Sequence, residues 1–354
     1  MNCVDVLVPC YNYARFLERC VCSVLSQHGT GVRVLIIDDA STDDTPEVGQ
    51  RLAALDSRVE FRRHEVNQGH IATYNEGLLS WASAAYCLVL SADDALTSGA
   101  LARAVRLLNR HPEVGMTYGR ALVIGDDAVV NSPEKDTPDD YQIMSGPTFL
   151  QRCCAFGNPV PTPTVVVRTK LQQRLGAYRA DLPHSGDMEM WMRFATQGSV
   201  GVFRALQAYY RWHGSNMGAA YYDTMLGDLR EQKAACDEVL TMWGSRLPDV
   251  EKLLKAVNQR VAEDAFWVAS KAFDAGDVNR SRVCLQFAKE HFPEIERSRR
   301  WRRFQAKRLI GQVVWRRIRG AVNRVRGIPA ASTATRSSQF QTGETTGWWP
   351  EAAC

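Results

Sequence analysis

The sequence predicts an α/β protein: a mostly parallel sheet with helices on both faces, followed by a helical region. Three observations predict it. As far as Tyr210, short apolar runs alternate with stretches of helical period, which is the βαβ pattern of a parallel sheet. From Tyr222 to about His291 the period is helical throughout. Two of the apolar runs end in paired carboxylates: Val34-Leu35-Ile36-Ile37 leads into Asp38-Asp39, and Tyr86-Cys87-Leu88-Val89-Leu90 leads through Ser91-Ala92 into Asp93-Asp94. In an open parallel sheet both pairs meet at one edge.

The elements follow in order. Val4 to Val8 reads as a first strand stopped by Pro9, and a helix follows from about Arg15 to Gln27 with Phe16, Val21, Val24 and Leu25 inward. Val32 to Ile37 is a second strand, Pro46 to Leu55 a helix, and Val59 to Arg62 a third strand. A helix from about Ile71 to Ala82, a strand Tyr86 to Leu90 and a helix Gly99 to Asn109 continue the alternation. Val114 to Ile124 and Ala128 to Val130 flank Gly125-Asp126-Asp127 as a hairpin-like excursion, and the stretch from Ser132 to Tyr141, rich in Pro and Asp, is a loop. Thr164 to Val167 and Val200 to Tyr210 supply further strands. No internal repeat of fixed period is present.

At 354 residues the chain is long enough for about two domains of ~150 residues. Its apolar content of 45% and charged content of 23% are those of a globular protein, and no window reaches the roughly 20 apolar residues of a membrane span. Met1-Asn2-Cys3-Val4-Asp5 has neither basic region, apolar stretch nor cleavage site, which reads as no signal peptide and a cytoplasmic location. Ten cysteines, several in apolar strands (Cys3, Cys87) or helical stretches (Cys20, Cys22), read as small buried hydrophobes; the spacings at 20/22 and 153/154 are too tight for structural zinc.

The net charge of +4 averages two unlike regions. Arg297 to Arg326 holds twelve Lys or Arg and no acid, so the rest of the chain carries −8. From Val314 onward, Val314, Ile318, Ala321, Val322 and Val325 follow helical spacing with Arg316, Arg317, Arg319 and Arg324 on the other face, and Trp301, Phe304 and Trp315 add amphipathic anchors. Such a helix suits an anionic membrane surface, where each basic residue adds ~1 kcal/mol. Packing of the apolar stripe on the body is the plainer alternative, and no nucleic-acid motif accompanies the charge, so nucleic acid is not an expected partner. After Gly327 the composition reads as a disordered tail.

Adjacent carboxylates at strand ends repel unless a cation or hydrogen-bond donors compensate them. Helix capping explains either pair alone, since Ser41-Thr42-Asp43 stands before the helix at Pro46. The recurrence of the pair at equivalent places points instead to a bound nucleotide and metal. No Gly-x-Gly-x-x-Gly or P-loop is present there to hold phosphates, whereas Mg2+ or Mn2+ held by aspartate suits a diphosphate leaving group.

Val8-Pro9-Cys10-Tyr11-Asn12, Ile37-Asp38-Asp39-Ala40-Ser41-Thr42-Asp43, Asn67-Gln68-Gly69 with Asn75-Glu76-Gly77, Ser91-Ala92-Asp93-Asp94, and Gly186-Asp187-Met188-Glu189-Met190-Trp191-Met192-Arg193 together resemble the family 2 glycosyltransferases of the GT-A fold, in order and spacing, over about residues 3 to 217. The resemblance implies a GT-A, Rossmann-like sheet and a nucleotide diphosphate sugar donor, usually with a divalent cation. It implies that Pro9, Tyr11 and Asp38 or Asp39 line the nucleoside pocket, with Asn67 and Gly69 beside the donor. Asp94, assisted by Asp93, would hold the metal, and Asp187 would be the base of an inverting transfer. A sugar hydroxyl is a poor nucleophile, so a carboxylate aimed at its proton helps by ~10²–10⁴-fold. In the loop Tyr210-Arg211-Trp212-His213-Gly214, His213 is a candidate for the metal and Arg211 for phosphate. Trp191 reads as core and Arg193 as orienting a neighbouring carboxylate. Three positions depart from the family's pattern: Ser91 for a further Asp, Gly186 for a Glu, and Tyr74 for a frequent Arg.

The expected organisation is a GT-A catalytic domain at 1–220, a helical region at 221–296, a basic amphipathic helix at 297–326 and a tail at 327–354. The expected reaction is transfer to a hydroxyl acceptor, of which a lipid-linked or growing surface glycan at the inner membrane surface is the favoured class. A catalytically silent nucleotide- or glycan-binding protein of the same fold is the alternative.

Overall fold

The computed structural model describes residues 3–128, 140–214, 216, 225–244, 247, 249–311, 314–315, 317, 342–348 and 350. The chain divides into two compact units, one of residues 1–153, 157–214 and 340–354, the other of residues 154–156 and 215–339.

The first unit is built on one sheet. Its strands are β1 (Cys3–Cys10), β2 (Gly31–Asp38), β3 (Val59–Arg63), β4 (Tyr86–Val89), β5 (Ala95–Leu96), β6 (Val114–Gly125), β7 (Tyr141–Met144), β8 (Val166–Arg168), β9 (Ser199–Trp212) and β10 (Thr345–Thr346). Their order is β3-β2-β1-β4-β8-β6-β9-β5, with β7 on β9 and β10 on β6. β3, β2, β1 and β4 run parallel, so their carboxyl ends share one edge. β8 is antiparallel to both β4 and β6, and β6 and β9 pair in parallel. The helices α1 (Ala14–Leu25), α2 (Thr45–Leu55), α3 (His70–Glu76), α4 (Ala100–Arg110), α5 (Gly146–Phe156), α6 (Thr169–Leu175) and α7 (Gly186–Ala195) follow the strands.

Burial explains this register. Val4, Val6 and Val8 of β1 and Val34 and Ile36 of β2 are fully buried together with Leu17, Val21 and Val24 of α1. Each completely buried aliphatic side chain contributes about 1.5–3 kcal/mol, and a slip of one residue would send these side chains to the opposite face. Asp5 is the one acid within β1. It accepts a bidentate pair from Arg33 at 2.8 and 2.7 Å and the backbone N–H groups of Ser83 and Ala84, which locks the start of β4 to β1.

Three expectations are corrected. Where a hairpin at Gly125 is expected, β6 takes β9, a distant segment, as its long partner, and residues 129–130 of the expected return strand lie outside the described residues. Cys22 is exposed on α1, while Cys20, one face round, is buried. Part of the stretch whose composition reads as a disordered tail forms β10, paired antiparallel with β6 at Thr345/Leu122 and Thr346/Ala121.

The second unit contains α8 (Leu226–Trp243), α9 (Val250–Ala275), α10 (Val278–His291) and α11 (Arg299–Ile310). Gly276, at φ 99°, turns the chain from α9 into α10, a left-handed position suited to glycine, and Asp277 caps α10 by accepting from Arg280 N–H. Ser298 caps α11, whose Trp301 and Phe304 pack on Phe266 and Phe273 of α9. In the described part of the basic segment, Trp301 and Phe304 are thus packed on α9. The Arg316 to Val325 pattern falls almost wholly outside the described residues. Among the described residues no helix is long and apolar enough to cross a membrane.

Candidate active site

The carboxyl ends of β1, β2 and β4 bring three sequence-distant loops to one edge. Pro9 pairs with Ile37 at the end of β1, and Tyr11 follows with its side chain 46% exposed. Asn12, at φ 59°, donates its N–H to Ser41 Oγ at 2.9 Å and accepts the Thr42 N–H at 2.8 Å, tying the first loop to the second. Asp38 and Asp39 are both buried. Asp38 Oδ1 accepts from Ser41 N–H at 2.9 Å, and Arg63 Nε lies 3.3 Å from Oδ2, near enough for ion pairing but off the hydrogen-bond axis.

Asp39 organises the next loop. Its oxygens accept the N–H groups of Gln68 and Gly69, each at 2.8 Å, so the Asn67-Gln68-Gly69 turn is built around this carboxylate. Gly69 sits at φ 85°, a conformation that a side chain would strain. His64 bridges Asp39 (Nδ1 to Oδ1, 2.7 Å) and Glu76 (Nε2 to Oε2, 2.9 Å). Burial works to lower the His64 pKa, but its bonds to Asp39 and Glu76 prevail and raise it.

Asp93 and Asp94 are buried beyond β4. His213 Nε2 lies 3.1 Å from Asp93 Oδ2, and the imidazole is held between the rings of Tyr13 and Phe16, at 5.3 and 5.4 Å. Asp94 Oδ1 accepts the Arg211 N–H at 2.9 Å. Burial and the neighbouring Asp93 push the Asp94 carboxyl well above the ordinary carboxylate range. Of these groups the two crowded carboxylates are the oxygen donors that Mg2+ or Mn2+ accept, with the His213 imidazole beside them. Among the described residues no three such side chains yet stand in metal-binding geometry.

Arg211 is placed otherwise than expected. It is 2% exposed, its Nε donates to Asp93 O at 3.0 Å, and its Nη1 donates to the carbonyls of Gly125, Asp126 and Ala128. A guanidinium committed to carbonyls and stacked 4.8 Å over Phe16 is a clamp on the strand ends, not a phosphate ligand.

Asp187 stands in the first turn of α7, half-buried. Its Oδ2 accepts from Thr162 Oγ1 at 2.9 Å and Asn158 Nδ2 at 3.1 Å, and Oδ1 accepts from Met188 N–H. Burial raises its pKa; these bonds oppose the rise without cancelling it. Trp191 is buried, and Arg193 holds Glu189 Oε2 at 3.0 and 2.8 Å while donating to the carbonyls of Leu175 and Ala177.

α3 joins the two sets of acids. His70, one turn before Tyr74, feels the charges of both Asp187 and Asp39, although burial dominates and lowers its pKa. The Tyr74 hydroxyl, bonded to Ser91, feels Asp187, Asp93 and Asp94, and burial chiefly raises its pKa. Asp39, Asp93, Asp94 and Asp187 therefore all act on side chains of one helix of seven residues. Arg63, His64, Asn158 and Thr162 are additions that the sequence reading missed. Arg63 ends β3 and His64 follows it at the same sheet edge, so both were findable by that rule. Asn158 and Thr162 lie among prolines and carry no local signal.

Residues 5–166 match the family model described as glycosyl transferase family 2. An uncharacterized glycosyltransferase of Haemophilus influenzae is 24% identical over 228 residues, 62% of this chain and 69% of the relative. The GalNAc(5)-diNAcBac-PP-undecaprenol beta-1,3-glucosyltransferase of Campylobacter jejuni is 34% identical over 107 residues, 30% of this chain and 34% of the relative. The crystal structure of S. aureus TarS 1-349 in complex with UDP-GlcNAc superposes with a TM-score of 0.54 at 17% identity, covering 82% of this chain and 92% of that one, a likeness of fold. Residues 5–166 thus carry the match to glycosyl transferase family 2, and the fold is the GT-A fold of the structural neighbours.

Proposed function

We propose that the protein transfers a sugar from a nucleotide diphosphate sugar to a hydroxyl acceptor with inversion at the anomeric carbon, in the synthesis of a surface polysaccharide or lipid-linked glycan. The observation that carries this reading is that α3 is tied to both sides of the site: Asp39 accepts the Gly69 N–H at its start at 2.8 Å, and His70 Nε2 lies 2.9 Å from Pro183 O in the segment that leads to Asp187. The exposed Tyr11 ring, Pro9, Asn67 and Gly69 form the nucleoside side, where an aromatic face suits a base. Asp38 and Asp39 act from beneath by fixing the loops of Ser41 and Gln68.

Asp94, with Asp93 and His213, would hold a divalent cation, Mg2+ or Mn2+. Bound there, such an ion supplies charge stabilisation for the departing diphosphate. Asp187, with Thr162 and Asn158 directing its carboxylate, accepts the acceptor's hydroxyl proton as that oxygen attacks the anomeric carbon from the face opposite the diphosphate. The test is turnover of a panel of UDP-, GDP- and dTDP-sugars with Mn2+. Release of nucleoside diphosphate from at least one donor is expected; nucleotide binding without turnover across the panel would leave a binding protein.

The acceptor is proposed to be presented at an anionic membrane surface on the cytoplasmic side. Since Trp301, Phe304 and Lys307 of α11 are buried, helical geometry turns Arg299, Arg302, Arg303, Leu309 and Ile310 outward, and all five are exposed, with Leu309 at 90%. The full chain is expected to float with phosphatidylglycerol vesicles and not with phosphatidylcholine. The pair Arg302→Glu and Arg303→Glu is expected to abolish flotation, and undiminished binding would remove the surface from the proposal.

A further inference from the structure

We propose that residues 342–348 are a positioning strap for Asp187, acting through the loop of residues 158–162. The proposal rests on the reading of Asp187 as the base. The strap enters on an open edge: β8 pairs with β6 only at Met116 and Thr117, and β10 takes the same strand further on, at Ala121 and Leu122. Val123 N–H donates to Glu344 O at 2.8 Å and Gly343 N–H to Val123 O at 2.9 Å. Beyond the strand the chain must pass a tight point. Gly347 has φ 99°, and a Cβ there would stand 2.8 Å from Gly119 O and 3.0 Å from Pro161 Cγ. Trp348 then donates its N–H to Pro159 O at 3.0 Å, accepts the Tyr118 hydroxyl on its carbonyl at 3.2 Å, and lies under the Arg152 guanidinium at 5.1 Å. Gln142 Nε2 donates to Pro350 O at 3.1 Å.

The places the strap touches give it a role in the reaction. Pro159 and Pro161 alternate with the residues that hold the carboxylate: Asn158 and Thr162 both donate to Asp187 Oδ2. With Pro159, Pro161 and Pro163 lacking N–H groups, the loop has few donors with which to fix itself, so its position depends on bonds brought from outside. The loop has an internal bond from Val160 N–H to Asn158 Oδ1 at 3.1 Å. Its far end closes through Thr164 N–H and Oγ1 on Pro161 O at 3.0 and 2.7 Å and Val165 N–H on Thr162 O at 3.2 Å. Thr164 Oγ1 also meets Gly119 of β6 at 3.3 Å, which leaves the Asn158 side to be held from elsewhere. The Trp348 N–H and the packing of Gly347 on Pro161 come from a segment distant in sequence. Without them, Asn158 and Thr162 lose their registration on Asp187, and the carboxylate loses both its aim and the two bonds that counter the effect of burial.

The test uses the full chain with a donor that turns over. Gly347→Val, which drives a branched side chain into Gly119 O and Pro161, is expected to lower kcat about 10- to 100-fold, the scale of a small misplacement of a catalytic group. The donor KM should stay near its original value, and the acidic limb of kcat should move to higher pH. Hydrogen exchange at Val160 and Thr164 should quicken. Glu344→Gln, at an exposed side chain whose backbone alone bonds β6, should behave as the parent. An unchanged kcat and pH limb in Gly347→Val, beside an inactive Asp187→Asn, would overturn the strap and leave the base standing. Loss of donor binding together with kcat would also overturn it, as a general loss of structure. Full activity in Asp187→Asn would instead overturn the reading on which the strap rests.

Discussion

Asp187→Asn is expected to lower kcat for sugar transfer by about 10²–10⁴-fold while nucleotide diphosphate binding, followed by calorimetry, stays within about twofold. The amide is isosteric and keeps an acceptor oxygen for Thr162 and Asn158, but it has no basic oxygen for the acceptor's proton. Its NH2 takes the place of the oxygen that accepts the Met188 N–H, a lost hydrogen bond that relief of a buried charge offsets. Burial raises the folded-state pKa of Asp187 above its unfolded value near 3.9, so the folded protein binds that proton more tightly than the unfolded chain does. By linkage the ionised carboxylate then costs stability at neutral pH, and stability contributed by this group falls as pH rises from the unfolded to the folded pKa. Removing the charge should therefore leave the neutral-pH midpoint of thermal unfolding unchanged or higher, and the acidic limb of wild-type kcat should stand above the ordinary carboxylate range. A loss of activity that tracks a loss of folded protein would refute the base.

How much of this was legible in the sequence depends on the range of the interaction. β1 to β4 and α1 to α4 were readable because each strand is a short apolar run and each helix has one apolar face, both local properties of the chain. Asp38, Asp39, Asp93 and Asp94 were placed by topology alone, since parallel strands deliver their carboxyl ends to one edge. The pairing of β6 with β9 was not legible: Gly125-Asp126-Asp127 has the composition of a hairpin turn, but its carbonyls are the acceptors of Arg211, which arrives at the end of β9. Nor was β10, whose Thr345-Thr346 is too short and polar to signal a strand and is specified by the open edge of β6. Asn158 and Thr162 were missed because a hydrogen bond to a distant carboxylate leaves no periodicity behind.

Arg211 gives the second large effect, in stability and not in donor affinity. Arg211→Ala is expected to lower the free energy of unfolding by about 3–5 kcal/mol in urea titrations, the cost of breaking a buried charged network. The substitution leaves the carbonyls of Asp93, Gly125, Asp126 and Ala128 without the donors they now share, and removes the cation that faces Asp93, Asp94 and Asp126. Lysine separates a clamp from a phosphate ligand. A point charge on a flexible stem would preserve attraction for a diphosphate, but it lacks the planar fork that reaches several carbonyls and the face that stacks on Phe16. Arg211→Lys should therefore still lose about 1–3 kcal/mol, since at least one buried carbonyl is left unpaired, while nucleotide affinity measured on the folded fraction stays near that of the parent. The opposite pattern, intact stability with a large loss of diphosphate affinity in Arg211→Ala, would return Arg211 to the donor site.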